Sequence, residues 1–349
     1  MKVYIIIVTY NAQDYLKDCL GSVFSFLPKE QAVNVVVVDN NSSDGTIDFI
    51  KENYPQIKLI ENKKNLGFAG GNNLGMKYAI DRGADYIYLL NQDTIVEEGW
   101  LDKVLSLAES DSQAGAVQSL LMLWPEKERI NSWGNEIYFL GLGFAGGYRK
   151  LNHKKNKLEK KEIAYPSGAA VLLRVNILKE IGLFNSEFFM YHEDLDLGWR
   201  MNLAGYKILL APESIVYHKY EFSRSIKKYY FMERNRFWVL LQNYKWLTLI
   251  LFLPALIVMN LGLLFSAAKG GWLREEFKAY KYYFNGRVWK NLLDNRKIVQ
   301  DKRKVKDREI LKLFTGKIDF QEVNSLIVNF ILNPIFNLYF KLIRLIIWW

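Results

Sequence analysis

The chain has 349 residues, half of them hydrophobic and 24% charged, which excludes a disordered chain. Its single Cys, Cys19, excludes an intrachain disulfide framework and fits a reducing compartment. The net charge of +10 is unevenly placed: residues 1–218 carry 23 Lys/Arg against 27 Asp/Glu, and residues 219–349 carry 24 against 10. With a prior of ~150 residues per domain, this shift divides the chain into a domain 1–220 and a basic, apolar helical module 221–349.

The opening apolar run of MKVYIIIVTYN stops at Thr9, too short for a secretory signal. Its β-branched residues 3–8 predict a strand buried on both faces, and VNVVVVD (33–39) predicts a second. Between them, Tyr15, Leu16, Cys19, Leu20 and Val23 fall at helical spacing. Ser42, Ser43 and Asp44 read as N-caps of a helix carrying Ile47, Phe49 and Ile50. IKLIEN (57–62) is a third strand, GGNNLGMKYAIDRG (70–83) a helix closed by Gly83, and DYIYLLNQD (85–93) a fourth strand. The β-α-β-α-β-α-β order predicts an α/β fold: a doubly wound, mostly parallel sheet flanked by helices, with ligands at the carboxyl ends of its strands.

Those ends are polar. They carry Thr9-Tyr10-Asn11, Asp39-Asn40-Asn41, the Gly-rich NKKNLGFAGGNNLG (62–75) and Asn91-Gln92-Asp93-Thr94. Asx turns and caps occur at strand ends in any such fold, but four polar ends on one edge predict a ligand site. The glycines at 67, 70, 71 and 75 do not spell a dinucleotide fingerprint; they still allow close backbone approach at a helix N-terminus. Asp93 suits a hard divalent cation, which takes one or two carboxylates plus substrate phosphates. Further on, FFMYHEDLDLGWRM (188–201) places Glu193, Asp194, Asp196 and Arg200 beside large apolar residues. Acids favour a helix N-terminus, and Asp196–Arg200 is a common i, i+4 pair. Capping alone leaves the preceding apolar run unexplained.

IVTYN, VVVDNNSSDGT, NLGFAGGNN, LLNQDT and HEDLDLGWR, in this order, resemble family 2 glycosyltransferases of GT-A fold, especially the bacterial rhamnosyltransferase-like branch, over roughly residues 1–220. The resemblance implies an inverting transfer from a nucleotide sugar to a glycan or lipid-linked acceptor. It places Thr9 and Asp39 at the base and ribose, and Asn65, Gly67 and Asn72 at the nucleotide sugar. Tyr10, Asn11, Asn41, Asn91 and Gln92, at the strand ends, and Arg200 complete the expected donor site. Asp93 matches the last Asp of the family's D-x-D metal motif, here Asn91-Gln92-Asp93, and His218 is the candidate second ligand to Mg²⁺ or Mn²⁺. An ordinary strand-end histidine is the bland alternative for His218. Matching the acidic motif makes Asp194 the general base and Glu193 the reserve. YPSGAAVLLR (165–174) reads as a strand with room for a sugar; Trp133 and Tyr165 are stacking or core residues, and residues 149–161 a basic loop.

Trp246–Ala268 is a 23-residue run without charge, long enough to cross a bilayer. A single span, or a hairpin with the C-terminal apolar stretch, would export residues 269–317, which hold 15 basic and 6 acidic residues, against the positive-inside rule. Asn329, Asn333, Asn337, Lys341 and Arg344 form one polar stripe on a greasy helix kinked by Pro334, with Trp348 and Trp349 as anchors. The expectation is peripheral or monotopic attachment to the cytoplasmic membrane leaflet; the alternative is that these helices pack against the chain's own first domain or on a second copy of the chain. Nucleic acid is not an expected partner, because the basic residues are interleaved with apolar runs. A glycoside hydrolase would use two carboxylates without a nucleotide pocket. A UDP-sugar transferase (galactofuranose, N-acetylglucosamine) and a non-catalytic scaffold remain the alternatives to dTDP-rhamnose transfer.

Overall fold

The computed structural model of the chain describes residues 1–28, 31–152, 159, 161–219, 227–319 and 326–349. It forms two compact units: Met1–Asn135, Ala145–Gly198 and Tyr206–Glu221 make one, and Glu136–Phe144, Trp199–Gly205 and Phe222–Trp349 the other. The chain begins with β1 (Lys2–Thr9), α1 (Gln13–Ser25), β2 (Ala32–Asp39), α2 (Thr46–Asn53), β3 (Lys58–Glu61), α3 (Gly67–Asp81) and β4 (Tyr86–Asn91). It continues through β5 (Thr94–Val96), α4 (Trp100–Ser110), β6 (Ala114–Leu123), β7 (Ile130–Ser132), β8 (Asn135–Tyr138), β9 (Gly143–Ala145), β10 (Lys161–Glu162), β11 (Ala170–Arg174), α5 (Val175–Ile181), α6 (Glu193–Leu203) and β12 (Lys207–His218).

The first unit is built on a sheet of order β10-β12-β6-β11-β4-β1-β2-β3, with β5 on β12 and β7 on β6. β3, β2, β1 and β4 are parallel, as their alternation with helices requires. β11 runs antiparallel between β4 and β6, while β6 and β12 are parallel. Register sets the functional edge: Thr9 pairs with Asp39, Asp39 with Glu61, and Val8 with Asn91, so three strands end level. Ala170 pairs with Leu90, which puts the turn before β11 at that same edge. Val3, Ile5, Ile7, Val37 and Tyr88 pack with Leu16, Leu20, Trp100 and Val104 of the helices as the buried core. Each such side chain contributes ~1.5–3 kcal/mol when fully buried.

Local boundaries differ in three places. α3 begins at Gly67 instead of residue 70, because Asn65 Oδ1 accepts the Gly67 N–H and starts the helix early. The residue capping α2 is Gly45, and Asp44 Oδ1 accepts the Thr46 N–H at 3.1 Å in an Asx turn. Of YPSGAAVLLR only residues 170–174 are strand; Pro166–Ala169 form a turn.

The second unit adds α7 (Lys227–Asn243), α8 (Trp246–Gly270), α9 (Leu273–Tyr282), α10 (Gly286–Asp301), α11 (Asp307–Ile310), β13 (Phe314–Thr315) and α12 (Asn333–Ile346), the last entered through a π-helical turn at Val328–Leu332. β13, β8 and β9 make a small second sheet. Its core is aromatic: Phe139 lies 5.0 Å from Phe252 and 4.9 Å from Phe340, ring to ring, and Trp199 lies 4.6 Å from Tyr244 and 4.8 Å from Phe314. Buried Arg236 donates from Nε to Glu233 Oε2 at 2.7 Å, from Nη1 to the Leu140 carbonyl at 3.1 Å, and from Nη2 to Asn260 Oδ1 at 2.6 Å. Asp307 accepts from Thr248 at the start of α8 and from Arg303.

In the C-terminal helix, Pro334 follows directly on the π-helical turn Val328–Leu332, where the regular hydrogen-bond pattern is broken. The polar stripe is partly turned inward: the Asn333 amide both accepts from and donates to the Ile318 backbone, at 2.7 and 2.9 Å. Trp348 is exposed, but the Trp349 indole donates to Thr248 of α8. α8 is long and apolar enough to cross a membrane by length and composition, with 28% of its most apolar window buried. It exposes Leu247, Ile250, Ile257, Leu261 and Phe265.

Candidate active site

The strand ends assemble a connected polar edge. Thr9 Oγ1 donates to Asp39 Oδ1 at 2.9 Å, and Ser42 donates its N–H to Asp39 Oδ2 at 2.8 Å, so the fully buried Asp39 is held from two strands' ends. Asn11 and Asn41 adopt left-handed backbone with φ of 48° and 67°, a conformation Asn tolerates. Asn11 donates its N–H to Ser42 and accepts from Ser43. The Tyr10 N–H donates to Gln92 Oε1 at 2.9 Å, tying β1 to the end of β4, and leaves the Tyr10 ring exposed. Asn91 donates its N–H to the Ala169 carbonyl.

Asn40, named in the sequence only as part of a strand end, is the junction of this edge. It is buried, donates to the Gly67 carbonyl at 2.9 Å and accepts from Asn62 at 2.9 Å. Gly67 has φ of +71°, and a Cβ there would stand 2.3 Å from the Phe189 carbonyl oxygen, so only glycine fits. That carbonyl accepts the Ala69 N–H at 3.1 Å. The first turn of α3 is thereby joined to the loop before α6, in which Phe189, Tyr191 and His192 all have positive φ. Such strain persists only where the surroundings over-determine it. Asn72 is buried and donates from Nδ2 to the Phe68 carbonyl one turn earlier in α3, at 3.0 Å.

Asp93 and His218 meet at the same edge, with His218 Nε2 3.3 Å from Asp93 Oδ1. β12 is antiparallel to β5 here, and the Lys219 N–H donates to the Asp93 carbonyl. His218 Nδ1 lies 3.0 Å from Asn131 Oδ1, and its Nε2 is the ring nitrogen that faces the carboxylate. Asp93 Oδ1 lacks a hydrogen bond of good geometry despite the 3.3 Å separation. Burial pushes the Asp93 carboxyl up, but the His218 imidazole and then Lys219 pull it further down, so it is ionised at neutral pH. Among the described residues no cluster of three or more His, Cys, Asp or Glu side chains forms; Asp93 and His218 meet as a pair.

The two acids at the start of α6 have different surroundings. Asp194 Oδ1 accepts the Leu195 N–H at 2.8 Å and Oδ2 accepts the Gly168 N–H at 3.2 Å. Glu193 is buried, and its Oε2 has no hydrogen-bond partner among the described residues. Burial raises the Asp194 carboxyl to about 6 even though both backbone donors hold it down. Burial, then the neighbouring Asp194 charge, raises Glu193 well above the carboxylate range. Of the two carboxyls, Glu193 holds its proton to higher pH, because it is buried without the backbone donors that Asp194 has. Asp196 is buried in the same helix, and Arg200 is buried two turns after Glu193, in the part of α6 that belongs to the second unit. Tyr165 is core; the Trp133 ring carries the Lys150 and Lys161 ammonium groups, each 4.9 Å from its centre. Of the basic loop at 149–161, residues 153–158 and 160 lie outside the described residues.

The profile of glycosyl transferase family 2 matches residues 4–182, which is 179 of the 349 residues. The chain belongs to glycosyl transferase family 2. Its relatives include the N-acetylglucosaminyl-diphospho-decaprenol L-rhamnosyltransferase of Mycobacterium tuberculosis (strain CDC 1551 / Oshkosh), 29% identical over 61% of this chain and 75% of that protein. They also include the rhamnosyltransferase WbbL of Escherichia coli K12, 24% identical over 70% of this chain and 92% of that one. Among solved structures, GalNAc-T7 with UDP, GalNAc and Mn²⁺ matches with a TM-score of 0.55 at 15% identity, over 68% of this chain and 47% of that chain. S. aureus TarS matches with 0.52 at 16% identity, over 99% of this chain and 54% of that one. The chain thus spans about half of each of these two structures, and they establish the GT-A-like fold alone.

Proposed function

We propose that this family 2 glycosyltransferase performs inverting transfer of a sugar, L-rhamnose from dTDP-rhamnose, onto a lipid-linked acceptor in cell-surface glycan synthesis. The observation that carries the chemistry is Asp194 at the head of α6, whose carboxylate accepts from the Gly168 and Leu195 N–H groups beside the buried Glu193. Asp194 takes the acceptor hydroxyl proton as that oxygen bonds to the anomeric carbon and the bond to the nucleoside diphosphate breaks on the opposite face. A positioned base of this kind contributes ~10²–10⁴ in rate. Asp39, Thr9 and the Asn40–Gly67 junction hold the nucleotide along the strand ends. Asp93 and His218 would hold a divalent cation, which neutralises the charge of the leaving diphosphate when bound. The choice of rhamnose and of a lipid diphosphate acceptor leans on the names of the M. tuberculosis and E. coli relatives.

For the second unit we infer monotopic attachment to the cytoplasmic leaflet. One face of α8, through Thr248, Phe252, Ala255 and Met259, is buried in protein. The opposite face is apolar and exposed, as is that of α12 at Ile335, Leu338, Leu342 and Leu345. α12 combines that bare apolar face with Asn333, Asn337, Lys341 and Arg344, the pattern of a helix that lies in an interface.

The test is thermal stabilisation of the full chain by dTDP-rhamnose and by UDP-sugars, with and without Mg²⁺ or Mn²⁺, followed by transfer assays. One donor should stabilise the protein more with the cation than without, and Asp93→Ala should remove that increment. Asp194→Asn should bind the donor yet lose at least ~10²-fold in transfer. Lack of stabilisation by every nucleotide sugar would sink the transferase reading.

A further inference from the structure

β6 is buried along its whole length, and within AGAVQSLLML its polar members are Gln118 and Ser119. Ser119 is accounted for by a hydroxyl chain between Tyr88 and Ser214. Gln118, fully buried, faces the turn that precedes β11: its Oε1 accepts the Ser167 N–H at 2.7 Å. Its Nε2 makes longer contacts to the Ser132 carbonyl and Oγ, at 3.5 and 3.4 Å. Ser132 Oγ in turn donates to Asn135 at 2.7 Å, which orients the receiving group.

The next residue of that turn, Gly168, donates its N–H to Asp194 Oδ2 at 3.2 Å. Gly168 is also wedged: a Cβ there would stand 3.0 Å from the Phe68 ring and 3.8 Å from Asp194 Cβ. A peptide N–H is aimed by the backbone on both sides of it. The short Gln118–Ser167 bond fixes one side, and the Asn91–Ala169 backbone bond at 2.9 Å fixes the other. A buried amide in a central strand otherwise costs stability unless its bonds are made.

We propose that Gln118 is a positioning residue for the reaction: by holding the Ser167 N–H it fixes the 166–169 turn so that the Gly168 N–H grips the Asp194 carboxylate and aims its Oδ1 edge. This rests on Asp194 being the base. Among the described residues the titratable neighbour coupled to Asp194 is Glu193 on its own helix. The turn presents backbone amides and Gly168 lies against the Phe68 ring of α3. Loss of the Gly168 bond removes one of the backbone donors that hold the carboxylate charge, so the acidic limb of activity moves to higher pH.

The test uses the full chain with Gln118→Met, which keeps the volume and removes the acceptor, and Gln118→Glu, whose buried acid form repeats the amide's accepting and donating pattern. The pH profile of transfer, or of donor hydrolysis, is measured beside Asp194→Asn. The expected result is an acidic limb raised by ~1 pH unit in Gln118→Met and returned close to wild type in Gln118→Glu. The carboxyl band that Asp194→Asn abolishes, followed by infrared titration, reads the same midpoint without any substrate and serves if Gln118→Met is too slow to assay. If Asp194→Asn is inactive but the limb and the band stay in place in Gln118→Met, the positioning role is overturned and the base stands. If Asp194→Asn remains active, the base reading itself fails and the positioning role falls with it.

Discussion

The two carboxyls at the head of α6 illustrate what a buried acid costs its fold. A carboxyl whose midpoint rises from 3.8 to about 6 on folding destabilises the native state by about 3 kcal/mol once both states are ionised. Well below 3.8 neither state is charged and the cost is absent; it grows as pH rises from there to about 6 and is constant above. Asp194→Asn should therefore melt higher than wild type at pH 7–8, with the gap closing as pH falls below about 6 and gone near ~3, measured by thermal denaturation. A gap independent of pH would mean that burial of the charge is not its source. Asp39, Asp93 and Asp194 were legible in the sequence because each sits at a strand or helix end, where local pattern places it. Gln118 and Gly168 were not. Gln118 meets Ser167 across 49 positions through the register of β6 and β11, and no local pattern carries register between distant strands. The one readable signal was an amide inside an apolar run.

At the level of elements, the alternation of the first half predicted its parallel strands and their order of entry, and register then made the polar ends coincide. Boundaries failed where side chains cap from outside, as Asn65 does for α3. The C-terminal helix was read as a water-facing stripe because periodicity shows which residues share a face and not what covers it; Asn333 is covered by the Ile318 backbone. In the second unit the decisive element is α7, whose Arg236 joins Glu233, Leu140 and Asn260 while fully buried. Removing one partner of a buried pair strands the other charge, at ~3–5 kcal/mol. Arg236→Met should lower the melting point of the full chain accordingly, and Glu233→Gln in the same chain should recover part of the loss. Additive losses in the double variant would show that the two residues do not act as a pair.

For the whole molecule, the proposed monotopic attachment predicts where the two ends of α8 are found. Lys245 and Lys269 flank the apolar part of α8. Replacing each by Cys, with Cys19 changed to Ser, gives two sites for a membrane-impermeant thiol reagent. On inverted vesicles both should react from the cytoplasmic side. Reaction of the Lys269 site only from the opposite side would make α8 a span and reverse the monotopic reading.

The path of the chain between the two units has one more consequence. Residues 136–144 and 199–205 leave the first unit, serve the second, and return. They bring Tyr138, Phe139 and Trp199, all essentially without solvent exposure, to partners at Tyr244, Phe252, Phe314, Phe336 and Phe340. The catalytic half is therefore not a cassette that ends at residue 221. Cut there, it would carry two greasy loops stripped of their sockets, and a hybrid made by joining residues 1–221 to another relative's tail would have to match those sockets too.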